Sequence, residues 1–551
     1  MPTSLRSAFG ALLGASSLMA FTPAAAHGPA SAAHLRTPRI VHAALRDTVD
    51  LLIAGGTVVD GTGSPERVAD VGVRGDRIVF VGDAAAAHVV AARRIDARGL
   101  FVAPGFIDPH THTGGDLSSP ERHGNVPYLM QGVTTVVVGN DGGGPVEIAQ
   151  TFDRWERQGI GTNAALYVGF GTVRERVLGM SSAAPTPAQL DSMRALVDRA
   201  MREGALGLST GLFYPPQSFA ATEEVIVLAK VAARYGGIYD SHLRDESSYN
   251  VGLVGAVAEA LRIGRAAHLP VHIAHIKALG VDVWGKSDTV IAMIQEARRA
   301  GLEVTADQYP YTASGTSFSA SLLPRWAVEG GHDSLAARIA DPVQHARLVA
   351  DMRENLRRRG GAASLLVTKA HDSTLVGKTL ADIATARHLE PVEAALAVIA
   401  AGGASVASFN MNEQDIDRFM RARFVMTGSD GSEGMPRKYG TYPRKLREYV
   451  FTKHVLTLPE MVHKSSALVA AALHLRGRGT LAPRYYADVV VFDSTITDRA
   501  TYESPEVLST GVRYVLVNGK LAVDAGRVTG VLAGRGLRRG GAGDAERAAG
   551  R

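Results

Sequence analysis

Short apolar runs alternate with amphipathic stretches through the middle of the chain, from about residue 104 to residue 480. Stretches such as 223–235 and 251–267 carry apolar residues at helical spacing, whereas the apolar runs between them have the length of buried strands. Eight candidate strands can be counted: 105–112, 133–139, 163–171, 205–210, 237–242, 271–275, 303–309 and 424–430. Eight strand–helix repeats predict an α/β protein with a parallel (β/α)8 barrel of the TIM type; a doubly wound open sheet is the alternative.

The two ends of this region have a different, all-β pattern. Residues 51–61 form a strand pattern broken by a glycine pair, and residues 71–82 form two short strands around a Gly-Asp turn, which is typical of a hairpin. Near the other end, residues 487–493 and 512–520 have the same character. Strands therefore flank the predicted barrel on both sides.

Two further segments interrupt the repeat. Residues 318–415 are too long for a simple connection and contain helical sequence, so we expect an insertion over one barrel mouth. Residues 531–551 are rich in Gly, Arg and Ala, and we expect them to be a disordered tail.

The N-terminus has the features of a secretory signal peptide. Arg6 precedes a stretch of apolar and small residues from Ala8 to Phe21, and residues 24–26 are three alanines that suit a cleavage site. The sequence predicts cleavage after Ala26, a linker over residues 27–46, and a periplasmic or secreted protein. No cysteine is present, so neither a lipid attachment site nor a disulfide framework is expected.

Composition and charge narrow the class of partner. Among the 551 residues, 46% are hydrophobic and 21% are charged, and the mean hydropathy is +0.03, which is typical of a soluble globular protein. Most of the net charge of +5 lies in the last 21 residues, which contain five arginines and two acidic residues. We therefore expect a small-molecule substrate and neither a nucleic-acid nor a membrane partner; the oligomeric state stays open.

Two histidines stand at the end of the first candidate strand. The apolar run 100–104 leads into Gly105-Phe106-Ile107-Asp108-Pro109-His110-Thr111-His112. Residues i and i+2 of a strand point to the same face, so His110 and His112 would direct two imidazoles at one point. Two neutral imidazole nitrogens suit a divalent metal.

Polar residues also stand at the ends of other candidate strands, and a barrel gathers such ends at one mouth. These residues are Asn140, Asp141, His242, His275 and Asp430. Each has a structural alternative, because a lone strand histidine such as His272 is often a hydrogen-bonded core residue and Asp141 or Asp430 could be a turn aspartate. Together they predict a divalent metal centre with nitrogen and oxygen ligands.

From about residue 50 to 526 the chain resembles the amidohydrolase superfamily, and within it the N-acyl-D-amino-acid deacylases (D-aminoacylases). The resemblance is carried by residues 104–112, 132–140, 203–212, 241–246, 273–277, 307–311, 428–431 and 487–493. It implies a barrel over residues 104–479 and a small β-sandwich from both chain ends, residues 47–103 and 480–530.

The resemblance also implies roles for individual residues. His110, His112 and Asp430 would hold one metal, and His242 and His275 a second; the metal would be one or two zinc ions, with manganese or cobalt possible. Asp430 would be the general base, taking a proton from a metal-activated water and passing it to the leaving amine.

Two departures from the family pattern stand out. Where the family usually has a cysteine ligand after Gly-Asn, this chain has Asp141, which would bridge two metals, reduce selectivity for zinc, or be a turn residue without a ligand role. Where the family often has His-Pro-Arg, this chain has Met435-Pro436-Arg437.

Three residues are candidates for binding the substrate carboxylate. Lys277 lies two residues beyond His275 and resembles the family's carboxylate-binding lysine, Tyr309 resembles its partner tyrosine, and Arg244 is the third candidate. Arg244 could instead pair with Asp245 or Glu246.

The leading hypothesis is hydrolysis of the amide bond of N-acyl-D-amino acids to a carboxylate and a free D-amino acid. The alternative is a dipeptidase or other amidase acting on short peptides that contain D-residues. Hydrolysis of cyclic amides is disfavoured because residues 205–211 lack the bridging lysine of those relatives. A non-catalytic scaffold with the same fold is a remote alternative, since such proteins have typically lost metal ligands.

Overall fold

The computed structural model describes residues 48–540. The predicted signal peptide (1–26), the linker (27–46) and residues 541–551 lie outside the described residues. Within residues 48–540, no helix combines the length and apolar character needed to cross a membrane.

Eight buried stretches of parallel strand form the centre of the molecule. They are β6 (Phe106–Asp108), β7 (Val133–Val138), β8 (Asn163–Leu166) continued by β9 (Val168–Gly169), β10 (Gly207–Gly211), β11 (Ile238–His242), β12 (Val271–Ile273), β13 (Val304–Gln308) and β17 (Val425–Thr427). Each pairs in parallel with the next along the chain. A parallel bridge between Thr111 and Gly431 connects the segments that follow β6 and β17. This sequential order differs from that of a doubly wound sheet, in which the strand order reverses.

Helices lie between and after these strands. In chain order they are α1 (Gly114–Leu117), α2 (Val126–Leu129), α3 (Ile148–Gln158), α4 (Phe170–Leu178), α5 (Pro187–Arg202), α6 (Thr222–Ala233), α7 (Gly252–Ala267), α8 (Ser287–Arg299), α9 (Phe318–Leu322), α10 (Arg325–Val328), α11 (His332–Ala340), α12 (Pro342–Arg358), α13 (Leu380–Arg387), α14 (Pro391–Ala400), α15 (Glu413–Arg421), α16 (Arg437–Arg444), α17 (Leu458–Lys464) and α18 (Ala467–Ala472). A π-helix, Lys445–Thr452, continues α16, and 3-10 turns cover Gln217–Phe219, Ala362–Ser364 and Ser373–Leu375. The predicted helices at 223–235 and 251–267 correspond to α6 and α7.

Local sequence explains where several helices begin. At α5, Thr186 and Gln189 form a reciprocal capping box and Pro187 occupies the first turn, where its missing N–H costs no helix bond. Thr457 and Glu460 make the same arrangement at α17.

A nine-stranded sheet combines both ends of the described chain. Its strands are β1 (Thr48–Val58), β2 (Arg67–Arg74), β3 (Arg77–Gly82), β4 (Val90–Asp96), β5 (Phe101–Pro104), β18 (Val489–Thr497), β19 (Thr510–Val517), β20 (Lys520–Asp524) and β21 (Arg527–Val528). The antiparallel pair β5–β18 joins the two ends, while β4 and β5 both pair with β1. All nine strands are thus hydrogen-bonded into one sheet.

The histidine motif lies where the chain passes from this sheet to the parallel strands. Residues 101–104 of the apolar run form β5, and Gly105 separates this strand from β6; a Cβ at Gly105 would clash with Thr134. Because β6 ends at Asp108, His110 and His112 follow the strand and are not part of it, which corrects the expectation of one strand over 105–112.

The expected insertion forms its own small sheet and apolar cluster. An antiparallel sheet with the order β14–β16–β15, formed by β14 (Ala313–Ser317), β15 (Leu365–Ala370) and β16 (Ala404–Phe409), packs with α9 to α14 around its own apolar cluster. It begins at β14, slightly before the expected residue 318, and its residues form one wall of the cavity described below.

The expectation of disorder over residues 531–551 is wrong for residues 531–540. Ala164 N–H donates to the carbonyl of Arg535 at 2.9 Å, and Leu537 N–H donates to the carbonyl of Ala164 at 2.8 Å. Gly534 lies so close to the carbonyl of Thr162 that a Cβ would clash with it. Glycine, which suggested disorder, is here what allows two backbones to approach.

Candidate metal centre

Six predicted residues converge where the parallel strands end. His110 and His112 follow β6, Asp141 follows β7, His242 ends β11, His275 follows β12, and Asp430 follows β17. The side chains of His110, His242, His275 and Asp430 are buried, while those of His112 and Asp141 are partly exposed. The structure therefore brings all six side chains into one cluster.

Asp141 occupies the middle of this cluster. Its Oδ1 lies 3.5 Å from His110 Nε2, 3.7 Å from His242 Nδ1 and 3.5 Å from His275 Nε2. Its Oδ2 lies 3.4 Å from His112 Nε2. One carboxylate thus faces all four histidines, with a different oxygen toward His112 than toward the other three.

Asp430 faces the two histidines of the motif from another side. Its Oδ1 lies 3.0 Å from His112 Nε2 and 3.6 Å from His110 Nε2. Its Oδ2 lies 2.7 Å from Arg437 Nη2, and Arg437 Nε also donates to the Asp430 carbonyl at 2.6 Å. Arg437 therefore fixes both the side chain and the backbone of Asp430.

Three of these residues have left-handed backbone conformations. The φ angles are +56° at Asp141, +34° at His275 and +46° at Asp430. Such conformations cost non-glycine residues on the order of 1–3 kcal/mol each and concentrate at functional sites. All three positions follow the ends of parallel strands and belong to the cluster of six.

The donor set fits a divalent metal. One donor atom from each of His110, Asp141, His275 and Asp430 lies within 4.8 Å of the others. Both ring nitrogens of His110 and the Oδ1 of Asp141 are buried without a hydrogen-bond partner among the described residues. Buried polar atoms normally have partners, and imidazole nitrogen with carboxylate oxygen suits zinc, manganese or cobalt.

Two carboxylates stand behind the histidines. Glu246 Oε1 lies 3.2 Å from His275 Nδ1, and Glu246 Oε2 lies 3.8 Å from His242 Nε2, so Glu246 faces the ring nitrogens that point away from Asp141. Asp307 Oδ1 accepts from the His275 backbone N–H at 2.9 Å and lies 3.8 Å from His110 Nδ1. Outer carboxylates of this kind orient metal-binding histidines.

His272 is a structural residue, as expected of a core histidine. Its ring bonds Thr305 Oγ1 at 2.9 Å and lies 3.2 Å from Asp307 Oδ1, and neither partner belongs to the cluster of six.

The charges of the centre are mutually dependent. Burial lowers the pKa of His112, but hydrogen bonds with Asp141 and Asp430 raise it to about 10. Burial raises the pKa of Asp430, yet the charge of Arg437 and the hydrogen bond with His112 hold that pKa well below its usual range. Because histidine must lose its proton to bind a metal, binding of a metal at this centre would release protons.

The centre opens into a cavity of about 510 Å³. Lys277, Tyr309 and Arg437 line it next to Asp430, with the Arg437 guanidinium 4.5 Å from the centroid of the Tyr309 ring. The Tyr309 hydroxyl and Arg437 Nη1 are buried and have no hydrogen-bond partner among the described residues. Lys277 Nζ lies 2.6 Å from Glu246 Oε1. Two of these side chains therefore have free donors, which suits a carboxylate ligand.

The structure corrects the assignment of Arg244. Its guanidinium bonds Glu259 at 2.7 and 2.8 Å and the carbonyls of Ser218 and Ala220, and it does not line the cavity. Its partner is thus neither the substrate nor Asp245 or Glu246. Asp245 and Glu246 are nearest to Arg244 in sequence, but its ion-pair partner, Glu259, lies on α7.

Sequence reasoning missed Arg437 and Glu246 as site residues. Arg437 stood in the altered Met-Pro-Arg element, and Glu246 stood two residues after Arg244 in a motif that was already noted. An aromatic wall formed by Phe213, Tyr214 and Tyr249 was missed as well. Nothing in the sequence distinguishes these three residues from aromatic residues of the core.

An α/β fold that gathers histidine and aspartate donors at the strand ends beside one cavity has the arrangement of a metal-dependent enzyme. More specifically, the chain belongs to the amidohydrolase family, whose model matches residues 93–523.

Individual relatives agree with this assignment. The chain is 36% identical over 520 residues to a D-aminoacylase from Alcaligenes xylosoxydans xylosoxydans, covering 89% of this chain and 98% of that protein. A crystal structure of N-acyl-D-glutamate deacylase from Bordetella bronchiseptica, with zinc and a phosphonate inhibitor, matches with a TM-score of 0.76 at 32% identity over 89% of this chain and 100% of that one. A D-aminoacylase structure with a binuclear metal centre matches with a TM-score of 0.77 at 34% identity over the same shares.

Proposed function

We propose that this protein hydrolyses the amide bond of N-acyl-D-amino acids, giving a carboxylate and a free D-amino acid. The observation that carries the proposal is the position of Asp430, which faces His112 and His110 through Oδ1 and Arg437 through Oδ2. The relatives named D-aminoacylase and N-acyl-D-glutamate deacylase support the substrate class.

We infer that the parallel strands close into a (β/α)8 barrel with a small β-sandwich from both chain ends beside it. The inference is supported by the sequential pairing from β6 to β17 and by the bridge between Thr111 and Gly431. Closure would place the loops that follow β6, β7, β11, β12 and β17 around one mouth.

We propose that the donors hold one or two zinc ions, with manganese or cobalt as alternatives. His110, His112 and Asp430 would bind one ion and His242 and His275 the other, with Asp141 between them. A bound ion would polarise the amide carbonyl and lower the pKa of a water molecule to about 7.

The chain's own residues would then handle the proton and the substrate. Asp430, anionic beside Arg437, would take the proton of the attacking water and deliver it to the nitrogen of the leaving amine. Lys277, Tyr309 and Arg437 would bind the substrate carboxylate and so hold the amide beside Asp430. Glu246 would keep His242 and His275 oriented.

A hydrolysis screen tests the proposal. Purified protein, with zinc, manganese or cobalt added back, is given N-acetyl-D-amino acids, the matching L-compounds and dipeptides ending in a D-residue. Release of free D-amino acid from the first set is expected. Activity on the dipeptides alone would favour the peptidase alternative, activity on L-compounds alone would refute the D-specificity, and no activity with any metal would refute the enzyme assignment.

We also propose that the protein is exported and cleaved after Ala26. The proposal depends on the sequence of residues 1–26 alone. N-terminal sequencing of the protein from fractionated cells tests it, and an intact Met1 in the mature protein would contradict it.

A further inference from the structure

A buried glutamine holds the backbone of Asp141. Gln217 lies in the 3-10 turn after β10 and is only 5% exposed. Its Nε2 donates to the Asp141 carbonyl at 3.0 Å, and its Oε1 accepts from the Gly211 N–H at 2.6 Å. One side-chain amide thus connects the segment that follows β7 with the end of β10.

Glycines pack closely around this amide. A Cβ at Gly142 would lie 2.0 Å from Gln217 Oε1, and a Cβ at Gly171 would lie 2.5 Å from Gln217 Nε2. A Cβ at Gly211 would lie 2.4 Å from the carbonyl oxygen of Asp141. Because no side chain can approach so closely, the amide of Gln217 occupies a space that only glycine neighbours leave open.

The backbone of Asp141 needs such support. Its φ of +56° is left-handed, and a non-glycine residue keeps this conformation only where the surrounding structure holds it. Gly142, the next residue, is held as well, since its N–H donates to Ser209 Oγ at 3.1 Å. This backbone carries the carboxylate that faces all four histidines of the centre.

The segment between Gly211 and Gln217 also carries part of the aromatic wall. Phe213 and Tyr214 line the cavity, and the Tyr214 ring lies 4.8 Å from the His242 ring. The Tyr214 N–H donates to the Gly211 carbonyl at 2.9 Å. Gln217 therefore ties the backbone of Asp141 to the chain segment that lies against another residue of the centre.

We propose that Gln217 is a positioning residue for the candidate metal centre: by holding the backbone of Asp141, it sets the affinity of the centre for divalent ions. The inference rests on the metal binding that is part of the proposed function. Gln217 does not line the cavity, so it acts through Asp141 and not by contact with the substrate. Outer partners that orient a metal ligand typically contribute about 10- to 100-fold to metal affinity.

Gln217→Met tests the role of the amide. Methionine is similar in length but lacks the amide, so both hydrogen bonds are lost while the space stays filled. The Kd for zinc, measured by competition with a chromogenic chelator, should rise by about 10- to 100-fold.

Asn355→Leu is the matched control. Asn355 is also 5% exposed, its Nδ2 donates to the Leu322 carbonyl at 2.9 Å, and its Oδ1 accepts from Arg358 Nη1 at 2.8 Å. It thus loses a buried amide of the same kind, but in α12, and its Kd for zinc should stay at the original value.

Gly171→Ala displaces the amide of Gln217 without altering it. Gly171 lies in α4 without a left-handed φ, so alanine suits its backbone, but the added Cβ would collide with Gln217 Nε2. Weaker zinc binding is expected here too, and this variant decides the matter if Gln217→Met does not fold. Gly255→Ala is its control, because the nearest atom to that Cβ, on Val251, is 3.4 Å away.

A double-mutant cycle separates positioning from general destabilisation. If Gln217 acts through the carboxylate of Asp141, then Gln217→Met or Gly171→Ala should change the Kd for zinc little once Asp141→Asn is present. Equal losses with and without Asp141→Asn, or an unchanged Kd in the single variants, would overturn the role of Gln217 and leave the metal centre intact. Failure of the unchanged protein to bind zinc, manganese or cobalt would overturn the metal centre of the proposed function, and this inference with it.

Discussion

Lys277 Nζ lies 2.6 Å from Glu246 Oε1 and 2.7 Å from His275 Nδ1, while Glu246 Oε1 is itself 3.2 Å from that same Nδ1. Lys277, which is proposed to bind the substrate carboxylate, and His275 of the candidate metal centre thus share one acidic neighbour, Glu246. If His275 binds a metal through Nε2, its Nδ1 carries the proton and can donate only to Glu246. Lys277 would then keep Glu246 as its partner and turn its remaining donors to the cavity.

Glu246→Gln is expected to weaken metal retention and raise KM together. The amide keeps the size of the side chain but removes the charge that orients His242 and His275 and pairs with Lys277; loss of such an outer partner typically costs about 10- to 100-fold in metal affinity. Metal content after dialysis against a chelator measures the first effect, and steady-state kinetics the second.

Glu433→Gln is the control for this prediction, because Glu433 also lines the cavity and pairs with Lys369 at 2.7 Å but does not touch a histidine. Unchanged metal content in Glu246→Gln would remove Glu246 from the orienting role.

Asp141 should determine which metals the centre accepts. The residues that surround it offer only nitrogen and oxygen donors, and the chain has no cysteine, so harder ions such as manganese are expected to bind alongside zinc. Asp141→Cys should raise the affinity for cadmium and zinc relative to manganese because thiolate is softer than carboxylate. Competition titrations with the three ions measure the ratio.

Asp141→Asn provides the comparison without sulfur. Asparagine tolerates the left-handed conformation at this position, where φ is +56°, so the backbone is retained while the negative charge is lost. Weaker binding of every ion is expected. Binding equal to that of the unchanged protein would show that Asp141 is a turn residue without a ligand role.

Asp430→Asn should fold and retain metal but lose about 10²- to 10⁴-fold in kcat, the usual contribution of a general base. The amide still accepts from Arg437 and still fits the φ of +46°, but it cannot take a proton. Thermal unfolding, metal content and kcat are measured on the same preparation. Asp282→Asn serves as the control, because Asp282 is a surface carboxylate that lies 2.7 Å from Arg357. A normal kcat in Asp430→Asn would exclude Asp430 as the base.

The strands and the donor residues could be predicted from sequence because both follow local rules. Runs such as Val133–Val138 are continuously apolar, as parallel strands buried on both faces must be, and polar residues directly after such runs necessarily meet at one edge. His110 and His112 lie side by side in the cluster, but they follow the strand and do not belong to it, because β6 ends at Asp108.

The ion-pair partners and cavity positions of the arginines could not be predicted from sequence. Each depends on a helix or insertion that folds back over the strands. Arg244 pairs with Glu259 on α7 rather than with its sequence neighbours, and Arg359 reaches the cavity from the far end of α12. No periodicity in the sequence predicts these two contacts. The same holds for residues 531–540, whose composition favoured disorder but whose backbone hydrogen bonds attach them to residues 160–164.

Gly534 offers the sharpest test of that attachment. Its N–H donates to the carbonyl of Ile160 at 2.8 Å, and an added Cβ would clash with the carbonyl of Thr162, which is backbone and cannot rotate away. Gly534→Ala should therefore lower the free energy of unfolding by about 1–3 kcal/mol, as overpacking usually does. Gly124→Ala is the matched control, because the nearest atom to its added Cβ, on Val126, is 3.9 Å away. Urea unfolding of both variants decides the outcome: equal midpoints would mean that residues 531–540 contribute nothing to stability, whereas a lower midpoint in Gly534→Ala alone would make this C-terminal segment part of the folded structure.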